Sequence, residues 1–407
     1  MLAFLVHVLR YGWKGNLMRS VFLTVLLAMA ACVAARPAAA AIYCITDEAE
    51  LRAALAAVSS SFDSASNELR LTQGTFFNGF FVFETQISGP TGDFAMSGGW
   101  TTLGETPCGV QEVDARLTVL DAQGASAGLQ IRRNSVSGEN QPLISVSNLT
   151  IRNGSAANAP VGLYVANSFG SIVVDNVILH GHRATASQFI SGVAVTLDSS
   201  SRDIQLRNSL LYDNQGVFVG GSFPLADVLF TSLSLNTNRN WYVTNNTIVQ
   251  DPGNASGVLR MQSDGNFWVI NNVVRGGVSY TSSITGAGAA TDPQVRQLFN
   301  NFSEAPSFDR AVLVTDLFNG TAAPRLDPGT FTPTDGSPLF DAALGSPPGG
   351  LPNLDVYGNP RVFNGLLDIG AVEAQTVLPE PGEFVSMLAA LGTIGALRRL
   401  RGSPPEE

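Results

Sequence analysis

The chain has 407 residues, 14% of them charged, with 41 glycines, three cysteines and a formal charge of −10. Its only lysine is Lys14, and residues 42–378 hold 16 basic against 29 acidic groups. This balance excludes lysine Schiff-base chemistry in the body and nucleic-acid binding through a basic face. It also disfavours polyanionic ligands unless a cation bridges them, and it suits a β-rich exported protein.

Met18, Arg19 and Ser20 precede an apolar run from Val21 to Val33, and Ala38 to Ala41 follow. A basic start, an apolar centre and small residues, in that order, make residues 1–41 an export signal cut after Ala40 or Ala41. The expected start is Met18; a longer signal from Met1 and a lipoprotein signal at Cys32 are the alternatives. Cys44 and Cys108 lie beyond it as an even pair in an oxidising compartment, and a disulfide is expected over two free thiols. From Asp47 to Val58, Leu51, Leu55 and Val58 recur at helical spacing, which predicts a short helix capping the open end of a β-stack. Residues 68–74 alternate as a strand that ends in a turn.

Five segments then repeat one pattern: Val146-Ser-Asn148-Leu-Thr-Ile151, Val174-Asp-Asn176-Val-Ile-Leu179, Leu206-Arg-Asn208-Ser-Leu-Leu211, Val243-Thr-Asn245-Asn246-Thr-Ile-Val249 and Val269-Ile-Asn271-Asn272-Val-Val274. Taking Asn148, Asn176, Asn208, Asn246 and Asn272 as equivalent, the spacings are 28, 32, 38 and 26 residues. Each segment is strand, bend, strand. Asparagine at a bend tolerates left-handed dihedrals, and stacked amides can bond from one copy to the next. Repeats of this length predict coils of a parallel β-solenoid, with a core continuous along the stack. A β-sandwich, with turns roughly every 8–12 residues and no asparagine register, is the alternative.

Over about residues 42–375 the pattern resembles the right-handed parallel β-helix of the pectin-lyase-like superfamily. That implies an all-β fold and leaves function open. Ser337-Pro-Leu-Phe-Asp341, Asp355-Val-Tyr-Gly-Asn-Pro-Arg361 and Asp368-Ile-Gly-Ala-Val-Glu373 resemble the closing segment of the bacterial surface proteins called choice-of-anchor Q proteins. Ser97-Gly-Gly-Trp100 and Leu117-Thr-Val-Leu-Asp121 resemble their opening rungs. At the C-terminus, Pro379-Glu380-Pro381, an apolar run from Phe384 to Leu397, and Arg398 with Arg399 resemble the PEP-CTERM sorting signal. The run is shorter than the ~20 residues of a spanning helix. The resemblance implies processing by an exosortase-type membrane protease and only a transient stay in the membrane. A hydrophobic C-terminal helix is expected there; a C-terminal amphipathic or hairpin helix without a sorting role is the alternative. The chain thus divides into a signal (1–41), an N-terminal cap and first rungs (42–125), β-helix repeats (126–290), irregular closing rungs (291–375) and a sorting tail (376–407).

Glycosidic hydrolysis needs two carboxylates at a set separation, and no Asp-Asp pair occurs in the sequence. Lyase action needs a base, Arg or Lys, near a Ca²⁺ held by carboxylates. The best constellation is Asp175, Asp203, Arg207 and Asp213, with His180 and His182 from a neighbouring coil. Asp175 and Arg207 precede ladder asparagines, so they should point outward side by side; a plain surface ion pair is the alternative. His180 and His182, two apart on a strand, would share a face and could ligate a metal; structural or incidental use is the alternative. Trp241-Tyr242 and Phe267-Trp268 are either a stacked sugar platform or core. The expectation is an exported cell-surface or matrix protein of a Gram-negative-type bacterium that binds exopolysaccharide without turning it over. It needs no cofactor, although its acidity suits Ca²⁺. A polysaccharide lyase or glycoside hydrolase, and an adhesin or structural surface protein, are the competing classes.

Overall fold

The burial of Ile144–Arg152 and Ile172–His180 alternates residue by residue up to an asparagine, where the alternation slips by one. A side chain that changes face at a fixed point in every copy requires a backbone bend there. The computed structural model describes residues 40–375 apart from 61–65, 78–79, 88–91, 103–105, 125–126, 136–141, 157–160, 185–191, 200–201, 217–225, 232–238, 250–258, 263–264, 282–293, 305 and 309–312. The expected export signal as far as residue 39 and the expected sorting tail from residue 376, with Pro379, Glu380, Pro381, Arg398, Arg399 and the expected C-terminal helix, lie outside the described residues.

Within the described residues the chain is mostly β, and every ladder between strands is parallel. One long sheet runs through Ala41–Ile45, Asn67–Thr72, Phe94–Trp100, Ile144–Arg152, Ile172–His180, Ile204–Arg207, Asn240–Thr244, Asn266–Ile270, Gln294–Leu298 and Leu313–Leu317. A second, eight-stranded sheet takes strands from the intervening stretches, from Phe81–Ile87 to Ser307–Phe308, and a small third sheet joins Ser155–Ala156, Arg183–Ala184 and Gln215–Gly216. Strands pair with their counterparts in the next repeat, so the same position recurs in columns. Phe94, Ile144, Ile172, Ile204, Trp241, Phe267 and Val295 form one such column, and all are fully buried. Leu69, Met96, Val146, Val174, Leu206, Val243 and Val269 form another. Each such side chain contributes roughly 1.5–3 kcal/mol of burial.

The single described helix, α1 (Glu48–Ser60), begins one residue later than expected and ends two later. Asp47 caps it by accepting from Glu50 N–H, while Glu50 Oε2 reaches back to Thr46 N–H. Leu51, Leu55 and Val58 are buried in the main core, where the helix meets the first strands of the sheets. Cys44 and Cys108 form a disulfide that ties the first strand to a loop 64 residues on.

The asparagine register needs one correction. The left-handed bend residues are Asn148, Asn176, Asn208, Asn245 and Asn271, with φ between 51° and 59°. Asn246 and Asn272, taken as equivalent from the sequence, each stand one residue past the bend. In the first ladder, Asn176 Nδ2 donates to Asn148 Oδ1 at 2.9 Å, Asn208 Nδ2 to Asn176 Oδ1 at 3.0 Å, and Asn271 Nδ2 to Asn245 Oδ1 at 3.0 Å. Asn246, Asn272 and Asn300 form a second ladder that points inward and is fully buried. Each Oδ1 there accepts a backbone N–H of the preceding repeat: Asn246 Oδ1 from Ser209, Asn272 Oδ1 from Asn246, and Asn300 Oδ1 from Asn272. A doubled asparagine thus does two jobs, one side chain easing the bend and the next satisfying backbone that the bend leaves unpaired.

Among the described residues no strand follows Leu313–Leu317; the closing segment, residues 320–375, runs back along the bends. Its contacts descend in order as far as Val356, after which Gly370 N returns to Asn271 O. Gly320 N bonds to Asn300 O, Leu344 N to Asn271 Oδ1, Asn208 Nδ2 to Leu354 O, and Ala115 N to Val356 O. Beneath it lies the outward column Ile178, Leu210, Thr247 and Val273, which is buried only because Leu339, Val356, Ile369 and Ala371 cover it.

Candidate functional site

Asp175 and Arg207 precede bend asparagines on paired strands and face each other outward, as the sequence predicts. Arg207 Nη2 donates to Asp175 Oδ2 at 2.9 Å, and Nη1 donates to Gly349 O of the closing segment at 2.9 Å. Burial pushes the Asp175 carboxyl up, against the pull of Arg207. This is a clamp for the closing segment. Asp203 stands at the start of its strand, where Oδ1 accepts the Asn240 N–H of the next repeat at 2.7 Å. Asp213 lies past the following strand and pairs with Arg183 at 2.8 Å. The candidate constellation therefore resolves into three separate structural pairings.

The two histidines part company. Gly181, at φ 70°, turns the chain between them and breaks the strand parity that would place them on one face. His180 stays on the outer face, its ring 4.8 Å from Tyr212 and parallel to within 3°, and Tyr212 packs on Phe331. Burial and the charge of Arg152 lower its pKa. His182 turns inward and is fully buried. Its Nδ1 accepts Gly154 N–H at 3.1 Å, so Nε2 carries the proton and donates to Ile151 O at 3.1 Å. Burial pushes it down to about 3. Both ring nitrogens are engaged, so His182 is a wedge between repeats and offers no lone pair to a metal. Among the described residues no group of three or more His, Cys, Asp or Glu is placed to hold a metal ion. A shallow groove of about 440 Å³ beside them is lined by Asp121, Asn153, Gly181 and Arg183 among others. Burial pushes Asp121 up, but hydrogen bonds from Gln123 N–H, Asn153 and Arg152 outweigh it and hold the carboxyl below its ordinary range.

The aromatic pairs divide by strand parity. Trp241 and Phe267 are core, edge to face at 5.3 Å. Tyr242 and Trp268, one residue on, point outward and stack at 6.5 Å. Arg296 continues the row, its guanidinium 4.4 Å from the Trp268 ring centre, and it has no hydrogen-bond or ion-pair partner among the described residues. On the same and the next strand, the bend positions hold Phe299 and Phe318 in place of asparagine, at φ 54° and 61°. Their rings stack at 5.2 Å, and Phe318 is 77% exposed. Arg296, Phe299 and Phe318 were not singled out from the sequence. The signal was present: Phe299-Asn300-Asn301 and Phe318-Asn319-Gly320 repeat the spacing of Asn245-Asn246 and Asn271-Asn272 with the first asparagine replaced.

The residues that resemble choice-of-anchor proteins meet in a buried cluster. Asp355, Arg361, Asp368 and Glu373 are each at most 2% exposed. Asp355 accepts from the backbone N–H groups of Tyr357, Asn359 and Glu373, Asp368 from those of Asp341 and Ala374, and Glu373 from that of Asp368. Arg361 bonds to Gly370 O and lies 3.9 Å from Glu373. Burial pushes Glu373 up to about 8 despite Arg361. The motif knots the closing segment together, and every carboxylate in it faces backbone rather than solvent. Compared with family models, with curated proteins and with solved structures, the chain matches none.

Proposed function

We propose that this chain is an exported cell-surface or matrix protein whose body is a right-handed parallel β-helix, and that it binds exopolysaccharide without turning it over. The β-helix reading rests on strands that pair in parallel with their counterparts one repeat later, after the chain has visited the other sheets. Parallel neighbours need such long connections, and here the connections are themselves strands. The observation that carries the functional reading is the contrast between two neighbouring rows. Asp175 and Arg207 are engaged with each other and with the closing segment, and Tyr242 lies against Gly349 of that segment, whereas Trp268 and Arg296 line an outer face that reaches solvent.

Export is supported by the signal-like N-terminus and by a disulfide of the kind that persists in oxidising compartments. No described helix is long and apolar enough to cross a membrane. The PEP-CTERM-like tail from Pro379 is read as the anchor that an exosortase-type protease processes, after which the β-helix stays at the surface. The test is cell fractionation of the producing bacterium with the full chain and with a chain ending before Pro379. Loss of the tail moves the protein from the surface matrix to the periplasm or medium; an unchanged distribution refutes the sorting reading.

A further inference from the structure

Phenylalanine in a left-handed backbone conformation is strained, and exposed phenylalanine returns little burial for that strain. Both conditions meet at Phe318, which is 77% exposed at φ 61°, and Phe299 holds the same conformation beneath it. Five bends of the same ladder hold asparagine, which accepts this conformation at lower cost. Backbone strain that folding does not reward points to a role in binding. A second observation lies beside it. Three residues before Phe299 on the same strand, Arg296 lies over the Trp268 ring, 4.4 Å from its centre, with no hydrogen-bond or ion-pair partner among the described residues.

We infer that this end of the ladder, Phe318 on Phe299 together with Arg296 on Trp268, is a binding site for an uncharged polysaccharide. The inference rests on the exopolysaccharide reading above and names its site and substrate class. A pyranose presents an apolar C–H face and a rim of hydroxyls. The exposed Phe318 ring takes the face, and the guanidinium over Trp268 donates to vicinal hydroxyls of a neighbouring sugar. Along the strand, bend and arginine stand about 10 Å apart, so the two elements engage successive sugars of one chain. Charge selects against the other occupants. A body with 29 acidic and 16 basic groups repels a polyanion and repels a second copy of itself, and one guanidinium does not reverse that field.

The test is affinity electrophoresis of the full chain in gels containing hydroxyethyl cellulose, xylan, galactomannan or polygalacturonate, with thermal unfolding alongside. The wild type is retarded by at least one neutral polymer, at least tenfold more strongly than by polygalacturonate. Phe318→Asn and Arg296→Gln each lose tenfold or more of that retardation, while the unfolding temperature of Phe318→Asn is unchanged or raised, because the ladder residue is restored. Neutral-polymer binding that both variants keep overturns the site and leaves the polysaccharide reading standing. Binding to polygalacturonate alone overturns the substrate class. Retardation by no polymer overturns both readings. Concentration-dependent dimers in sedimentation that Phe318→Asn abolishes reassign the phenylalanine pair to self-contact and overturn the site.

Discussion

At the scale of single residues, the same residue type takes different work according to where the bend falls. Asn245 sets the bend and accepts from Asn271 Nδ2, which keeps Leu344 O as a second partner, and Asn246 serves buried backbone, with Oδ1 on Ser209 N–H and Nδ2 on Leu206 O. Asn245→Gly keeps the left-handed bend and is expected to cost about 1 kcal/mol or less, whereas Asn246→Ala leaves two buried groups unpaired and is expected to cost about 2–3 kcal/mol in urea unfolding. Equal costs would refute the division. Read from the sequence alone, the doubling hid this register, because either asparagine fits a ladder and only the dihedral tells them apart. His182 gives a second residue-scale test. Folded, it stays neutral down to about 3; unfolded, it takes a proton near 6.5. Its contribution is therefore complete above pH 6.5 and is lost as pH falls toward 3, on the order of 5 kcal/mol in all. His182→Gln should flatten the acid limb of the stability profile between pH 6 and 4, whatever it does to stability at pH 7. An unchanged acid limb would contradict the buried neutral tautomer.

At the scale of elements, the strands and α1 were legible because each carries a period: alternation in the strands, and Leu51, Leu55 and Val58 in the helix. The closing segment was not, because it has no period. It was expected as irregular rungs, and from Gly320 it instead lies along the bends, held by backbone bonds to Asn271, Asn208 and Ala115. Its recognisable residues marked a resemblance, and their role appears only when Asp355, Arg361, Asp368 and Glu373 come together out of solvent. This knot makes a prediction with the opposite sign to that of His182. Glu373, raised from 4.5 to about 8 by burial, stays protonated in the folded segment while the unfolded chain ionises. The stability it contributes is full below about pH 4.5 and is lost as pH rises through 8. Limited proteolysis within residues 320–375 should quicken between pH 6 and 8.5 relative to cleavage elsewhere, and Glu373→Gln should remove most of that rise. Equal rises in the two proteins would contradict the assignment.

At the scale of the whole molecule, columns of identical positions make one core that no repeat can bury alone, so the surface rather than the interior is free to vary. The sequence pattern revealed this architecture through its asparagines. It could not separate inward from outward aromatics around Asn245-Asn246, since parity turns on which asparagine bends. It also placed Asp175, Asp203, Arg207, Asp213, His180 and His182 in one neighbourhood that the bends divide. The proposed function is polysaccharide binding by this surface with no chemistry on the polymer. The most direct measurement incubates the full chain with uronate and neutral polysaccharides, with and without Ca²⁺. It follows polymer binding together with reducing ends and the ultraviolet absorbance of unsaturated products. The account predicts retention on polymer with no product in any arm. Turnover that Asp203→Ala or Arg207→Ala abolishes in a folded protein would contradict it.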